Sequence, residues 1–258
     1  MDTSAHTTRT LRYESGHGCL LFPDLAGTTL ARVNLDVEQF AFARRHPELF
    51  RNPAVNPLLD PRVCQQMVSE FHGAHGVDWS YGGYLEDRRH LWRGSYLSAK
   101  GTYLHLGVDF NVPQGTRVAV VEDSLVMLID EDTDFDGGWG PRVFLKPSAA
   151  RRLRIVQIFA HLQAVRVKPG DRLAPGAVFA EVGGHPHNGN WHPHLHIQAV
   201  RELHFQEILI KRFSELDGYG HQDERSMLRR DFPDPLRRIP GFTASKRRAQ
   251  SVLPNAPS

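Results

Sequence analysis

The sequence predicts a mainly β protein: an antiparallel β-sheet or sandwich core, an N-terminal helical extension, and a short C-terminal helix followed by a strap. Three observations carry this. From about Leu104 the apolar residues fall at a period near two, in short runs rich in Val, Ile and Phe. Gly, Pro and Asp turn residues separate those runs. On either side of this stretch the apolar spacing is helical instead.

Residues 1–83 read as a loop and helical extension with two helices. Asp36, with Gln39 three positions later, makes a capping-box pattern ahead of the apolar run around Phe40 and Ala43. Asp60-Pro61 is a second start signal, because Pro suits the first helical turn. Val63, Cys64, Met67, Val68 and Phe71 then share one face, with Gly73 as the expected stop. Cys64 belongs to that packing stripe and is read as a core residue. Residues 84–205 form the β-rich domain, its strands signalled by GVDFNV, TRVAVVED, LVMLID, RVFLK, RIVQIFAHL and AVFAEVGG. Two Pro-Gly turns in VKPGDRLAPGAVFAEVG suggest the hairpins of carrier domains, but no modifiable Lys sits at a tip. Residues 206–243 supply a helix and a proline-broken strap, DFPDPLRRIPGF. In that helix Leu203, Ile208, Leu209 and Phe213 are the expected core-facing set, with Gly218 as the stop. Residues 244–258 read as a disordered tail.

Bulk properties exclude several classes. A formal charge of +2 over 258 residues gives no electrostatic case for a nucleic-acid partner. The short basic run Lys246-Arg247-Arg248 lies among Ser, Ala, Pro and Asn and reads as a solvated tail. Residues 1–16 are polar, and the apolar run Cys19-Leu20-Leu21-Phe22 is too short to cross a membrane or direct export. Two cysteines make no disulfide framework. The expectation is a cytoplasmic protein with no membrane partner; the oligomeric state is not indicated.

The unusual feature is histidine: 15 in all, five of them between His185 and His196. HLGVD places His105 four residues before Asp109, FAHL carries His161, and PHLHIQ carries His194 and His196. Even spacing in an extended strand puts side chains on one face. His194, His196 and Gln198 would therefore face a cleft while Leu195 and Ile197 face the core. Gly107 and Val108 argue against a helix between His105 and Asp109. Two histidines with one carboxylate suit a divalent metal that keeps an open position for water. The remaining histidines are then free to move protons or to hold developing negative charge.

These motifs, in this order, resemble the lysostaphin-type (β-lytic) zinc metallopeptidase family, over about Tyr84 to Gln198. The resemblance implies a metallopeptidase β core, Zn(2+) as cofactor, His105, Asp109 and His196 as its ligands, and His161 and His194 as the catalytic histidines. YGGYLEDRRHLW, HLGVDFNVP and NGNWHPHLHIQ are closest to non-secreted members. The chain departs from the usual pattern at Ile197, where Phe is common, and at His192, where Pro or Gly is common. The implied activity is a metal-dependent hydrolase of the metalloendopeptidase type, cleaving an amide or peptide bond in a soluble peptide or small molecule. Tyr84, Arg88, Trp191 and His192 are candidate substrate contacts. For Arg88, an ion pair fixing the N-terminal region onto the β domain is the competing reading.

Other readings keep a place. A zinc lyase, cyclase or hydrolase acting on a non-peptide metabolite fits the same metal set. An Fe(II) enzyme fits less well, since His-x-Asp spacing is absent, and a non-catalytic binding protein would be expected to have lost a ligand. Asp132–Gly138 resembles half a calcium loop, but Val143 stands where a bidentate Glu is needed, so a plain acidic hairpin loop is expected. His185 and His187 are expected at a loop rim.

Overall fold

A computed structural model describes residues 8–14, 18–134, 137–148, 154–240 and 242. Its N-terminal part contains β1 (Thr10–Arg12), β2 (Thr29–Arg32), α1 (Leu35–Arg45), α2 (Pro61–His75) and β3 (Trp79–Gly82). After α3 (Tyr96–Lys100) come β4 (Thr102–His105), β5 (Val108–Asn111), β6 (Arg117–Ala119), β7 (Ser124–Asp132) and β8 (Gly140–Pro147). The chain continues through β9 (Ile155–Ala160), β10 (Leu162–Gln163), β11 (Arg172–Leu173), β12 (Val178–Val182) and β13 (Leu195–Arg201). It closes with α4 (Glu202–Ile210), β14 (Tyr219–His221) and α5 (Arg225–Asp231).

Nine strands form one sheet in the order β1-β2-β3-β5-β13-β9-β8-β7-β11, and β10-β12-β6 form a second, smaller one. Leu195, Ile197, Phe110 and Phe159 from the large sheet pack with Val118, Phe179 and Val182 from the small one, which makes the main core a sandwich. The large sheet's other face packs through Val156, Ile158 and Val200 against Phe205 and Ile208 of α4. With both faces covered, β9 reads as a nearly continuous apolar run, while β13 buries His196 and Gln198 between its apolar residues.

The first 83 residues differ from the expected loops and helices alone. Three of their segments are strands that extend the large sheet, and β2 lies parallel to β3. A parallel pair needs a long crossover, and the segment holding α1 and α2 supplies it. Each of these strands is three or four residues long, too short to show a period.

Several local signals shift by a turn. Asn34, not Asp36, caps α1 by accepting from the Val37 backbone N–H. Asp36 is buried and accepts instead from the backbone N–H groups of His90 and Leu91, pinning the loop after β3 to α1. Asp60 caps α2 as expected, but that helix runs past Gly73 and ends at Gly76. Cys64 is fully buried with Met67, Val68 and Phe71, and burial raises its thiol pKa. Helix α4 ends at Ile210, well before Gly218, and buries Phe205 and Ile208, while Leu203 is 69% exposed. Ahead of the strap lies one more helix than expected, α5. Asp132 binds the backbone of Asp134 and Trp139, holding the acidic hairpin loop to itself. Phe135 and Asp136 of that loop, the Lys246-Arg247-Arg248 run and the 244–258 tail lie outside the described residues.

Candidate metal centre

Strand register brings the motifs together. In the pairing of β13 with β5, His196 lies opposite Asp109. In the pairing of β13 with β9, the same His196 lies opposite Ala160, the residue before His161. His105 ends β4, three residues before β5 begins, and its backbone is hydrogen-bonded on both sides to the Leu85–Glu86 turn. Strand register and the turn after β4 thus bring together side chains up to 91 residues apart.

His196 Nδ1 is 2.9 Å from Asp109 Oδ1 and 3.2 Å from His105 Nε2, and His105 Nε2 is 3.5 Å from the same carboxylate oxygen. All three side chains are buried. The proton on His196 can be assigned. The Asp217 carbonyl can only accept, so the Gln198 amide nitrogen faces it at 3.2 Å. Gln198 Oε1 therefore faces His196 Nε2 at 3.3 Å, and that nitrogen carries the hydrogen. His196 Nδ1 is left as a lone pair aimed at a carboxylate oxygen and at a second imidazole. Such a convergence of acceptors suits a cation, and the donor set of two imidazoles and one carboxylate suits zinc.

The surroundings hold these groups in metal-ready protonation states. Burial, then the charge of Arg88, keeps His105 well below the ordinary imidazole range. For Asp109, burial pushes upward, but the charges of His105 and Arg88 outweigh it and leave the carboxyl well below its usual range. With His105 neutral at pH 7, the permanent charge of Arg88 is the part of that effect that persists. Neutral imidazole and ionised carboxylate are what a divalent ion requires.

Two glycines make the geometry possible. A Cβ on Gly107 would lie 2.4 Å from His196 Cε1. Gly83, at a φ of 109°, could carry no Cβ without meeting Arg88 Nη2 at 2.2 Å and His105 Nδ1 at 2.5 Å.

His161 and His194 stand beside this cluster with ring centroids 4.5 Å apart. His194 Nδ1 donates to the His192 carbonyl at 2.8 Å, leaving Nε2 as an acceptor 3.9 Å from Asp109 Oδ1. His161 has a φ of 60°, in the left-handed region. Its backbone is tied on both sides: its N–H donates to the Trp139 carbonyl and its carbonyl accepts from Gly183 N–H. A non-glycine residue held this way is strained, a cost of about 1–3 kcal/mol that the two bonds help maintain. Burial lowers the pKa of both histidines, so both are neutral near pH 7. Both line a cavity of about 220 Å3 with His105, Asp109 and His196. Leu59, from the N-terminal region, and Trp92 also line it, so that region contributes to the cavity wall.

The four candidate substrate contacts separate. Trp191 lines the cavity. His192 is buried beside it, and its Nδ1 donates to the Pro193 carbonyl. Tyr84 donates to the Phe232 carbonyl and faces a different cavity. Arg88 is 1% exposed and does not face the cavity; its Nη1 binds Asp109 Oδ2 at 2.6 Å and Tyr219 OH at 3.3 Å. A buried guanidinium already committed to a carboxylate has no free face for substrate, so the structural ion pair is the reading that fits. His185 and His187 are exposed and lie outside the cavity lining. Sequence reasoning missed Tyr219 and Trp92, which bond to each other at 2.6 Å and wall the cavity. It expected Gln198 in the cleft; the side chain is instead fully buried beside His196, outside the cavity lining, where it sets the tautomer.

Residues 103–207 match the model of peptidase family M23, a zinc-dependent metallopeptidase family. Among solved structures, the chain is similar to a mutant catalytic domain of the prophage-encoded M23 protein EnpA from Enterococcus faecalis, at 22% identity. That match covers 38% of this chain and 68% of the other, with a TM-score of 0.32. It is similar to the catalytic domain of lysostaphin from Staphylococcus simulans at 20% identity, over 49% of this chain and 80% of the other, TM-score 0.34. It is also similar to a zinc-containing peptidase from Vibrio cholerae at 23% identity, over 39% of this chain and 28% of the other, TM-score 0.32. The chain thus spans well under two thirds of the Vibrio protein. Among the described residues, no helix is long and apolar enough to cross a membrane.

Proposed function

From the peptidase family M23 domain at residues 103–207, we propose that this chain is a zinc-dependent hydrolase that cleaves an amide bond in a short peptide or small amide. The convergence of His105 Nε2, Asp109 Oδ1 and His196 Nδ1 in a cavity shared with two further buried histidines is the observation that carries this reading. His105, Asp109 and His196 would hold the ion. When bound, zinc supplies Lewis-acid activation of water and of the scissile carbonyl.

The protein's own groups do the rest. His194 takes the proton of the attacking water on Nε2, because its Nδ1–H is held by the His192 carbonyl. It then returns that proton to the leaving amine. His161 donates a hydrogen bond to the oxyanion, an effect worth about 3–4 kcal/mol where such donors have been removed elsewhere. Trp191 and Trp139 shield the histidine cluster from bulk water. A cavity of about 220 Å3 lies below the size of most drug-like pockets, which favours a small substrate.

The test is incubation of zinc-loaded protein with a mixed peptide and amide library, read by mass spectrometry. Paired products whose masses sum to substrate plus one water support hydrolysis. Products lacking the added water would assign a lyase or cyclase instead. His194→Ala should retain one zinc per chain while turnover falls by about 10²–10⁴; loss of the metal would overturn the assignment of roles.

A further inference from the structure

A second cavity, of about 620 Å3, shares no lining residue with the metal centre. Five arginines reach it from four parts of the fold: Arg32 from β2, Arg201 from β13, Arg225 and Arg229 from α5, and Arg237 from the strap. Arg32, Arg225, Arg229 and Arg237 form no ion pair among the described residues. Arg225 donates only to neutral oxygens, those of Gln222 and the Leu85 carbonyl. A protein of net charge +2 has therefore gathered unneutralised guanidinium groups around one concavity.

The acidic groups there do not cancel this charge. Asp87 is engaged by Arg89, and Asp234, whose Oδ1 accepts from the Leu236 backbone N–H, adds one carboxylate to the wall against five guanidinium groups. Glu86 is buried, lies 3.8 Å from Arg88, and has Oε1 without a hydrogen-bond partner.

We propose that this cavity binds a small ligand carrying two or more negative charges, of the phosphate-ester or polyphosphate class. Guanidinium forks match phosphate oxygens in pairs, and a tetrahedral phosphate offers oxygens to donors arriving from several sides. The volume lies within the usual range for a small-molecule site, and a concavity favours a compact anion over an extended one. None of its arginines touches His105, Asp109 or His196, although the Leu85–Glu86 turn that lines it also binds the His105 backbone.

The experiment is calorimetric titration of the zinc-loaded full chain with inorganic pyrophosphate. One equivalent should bind with a Kd of about 10–100 µM at low salt, weakening as salt rises. The double variant Arg229→Ala/Arg237→Ala should weaken binding at least about tenfold, and Arg32→Gln, on β2, should do the same. Arg172→Ala, on the exposed strand β11, should leave it unchanged. His196→Ala separates the two sites, because pyrophosphate is also a metal ligand: the proposal requires that this variant still bind. No binding, or binding lost in His196→Ala and intact in the arginine variants, would overturn the proposal. So would binding of a duplex oligonucleotide without pyrophosphate.

Discussion

Replacing Gln198 with Met tests the proton assignment at the centre of the site. Gln198 is fully buried and makes two bonds, to His196 Nε2 at 3.3 Å and to the Asp217 carbonyl at 3.2 Å. Met fills a similar volume and makes neither. The metal-binding tautomer then carries a buried N–H without an acceptor, a cost of about 1–3 kcal/mol. The other tautomer escapes that cost by donating from Nδ1 to Asp109 Oδ1, already 2.9 Å away. Zinc must displace that hydrogen bond to bind. The expected loss is about 10- to 100-fold in affinity, or about 1.4–2.8 kcal/mol. Competition with a chromophoric chelator at neutral pH reads it directly. Gln198→Glu keeps an acceptor facing Nε2 and should retain most of the affinity. A zinc Kd for Gln198→Met within about threefold of the parent would refute the assignment.

Three further outcomes follow from the same geometry. Arg88→Met leaves Asp109 as a buried charge without its cation, so metal-free protein should lose about 3–5 kcal/mol in chemical denaturation; a change under about 1 kcal/mol would mean the ion pair is dispensable. Gly107→Ala should abolish stoichiometric zinc uptake, because the new methyl occupies the space of the His196 ring; full zinc content in this variant would contradict the packing described. His72 is held down to about 4 by burial. Its contribution is intact above pH 6.5 and is lost as pH falls from 6.5 toward 4, where the unfolded chain takes up a proton the folded chain refuses. After allowance for its partial exposure the loss is about 1–2 kcal/mol, and urea denaturation should show a shallower acid limb in His72→Gln.

The β core was legible because long, buried strands such as β8 and β9 leave an unmistakable apolar record. Strands β1 to β3 leave none; they are sheet because β5 and the α1–α2 crossover hold them there. His-x-His was legible because its spacing fixes a shared face of one strand, whereas His105 and Asp109 sit on separate strands, β4 and β5, and their pairing came from the family resemblance. Arg88 has no such rule. It meets Asp109 across 21 residues through a glycine-shaped gap, and only the fold shows that it supports the site rather than a substrate. In α4, Leu203 and Phe205 are equally apolar, and the burial of one rather than the other follows from where β13 ends and how Phe144 meets the helix.

The most direct measurement is elemental analysis of the purified full chain, paired with the same analysis of His105→Ala, Asp109→Asn and His196→Ala. One zinc per chain in the parent, and a large fall in each folded variant, is the expected result. A folded parent that takes up no zinc from a zinc-buffered solution, or three variants that bind it as the parent does, would contradict the account.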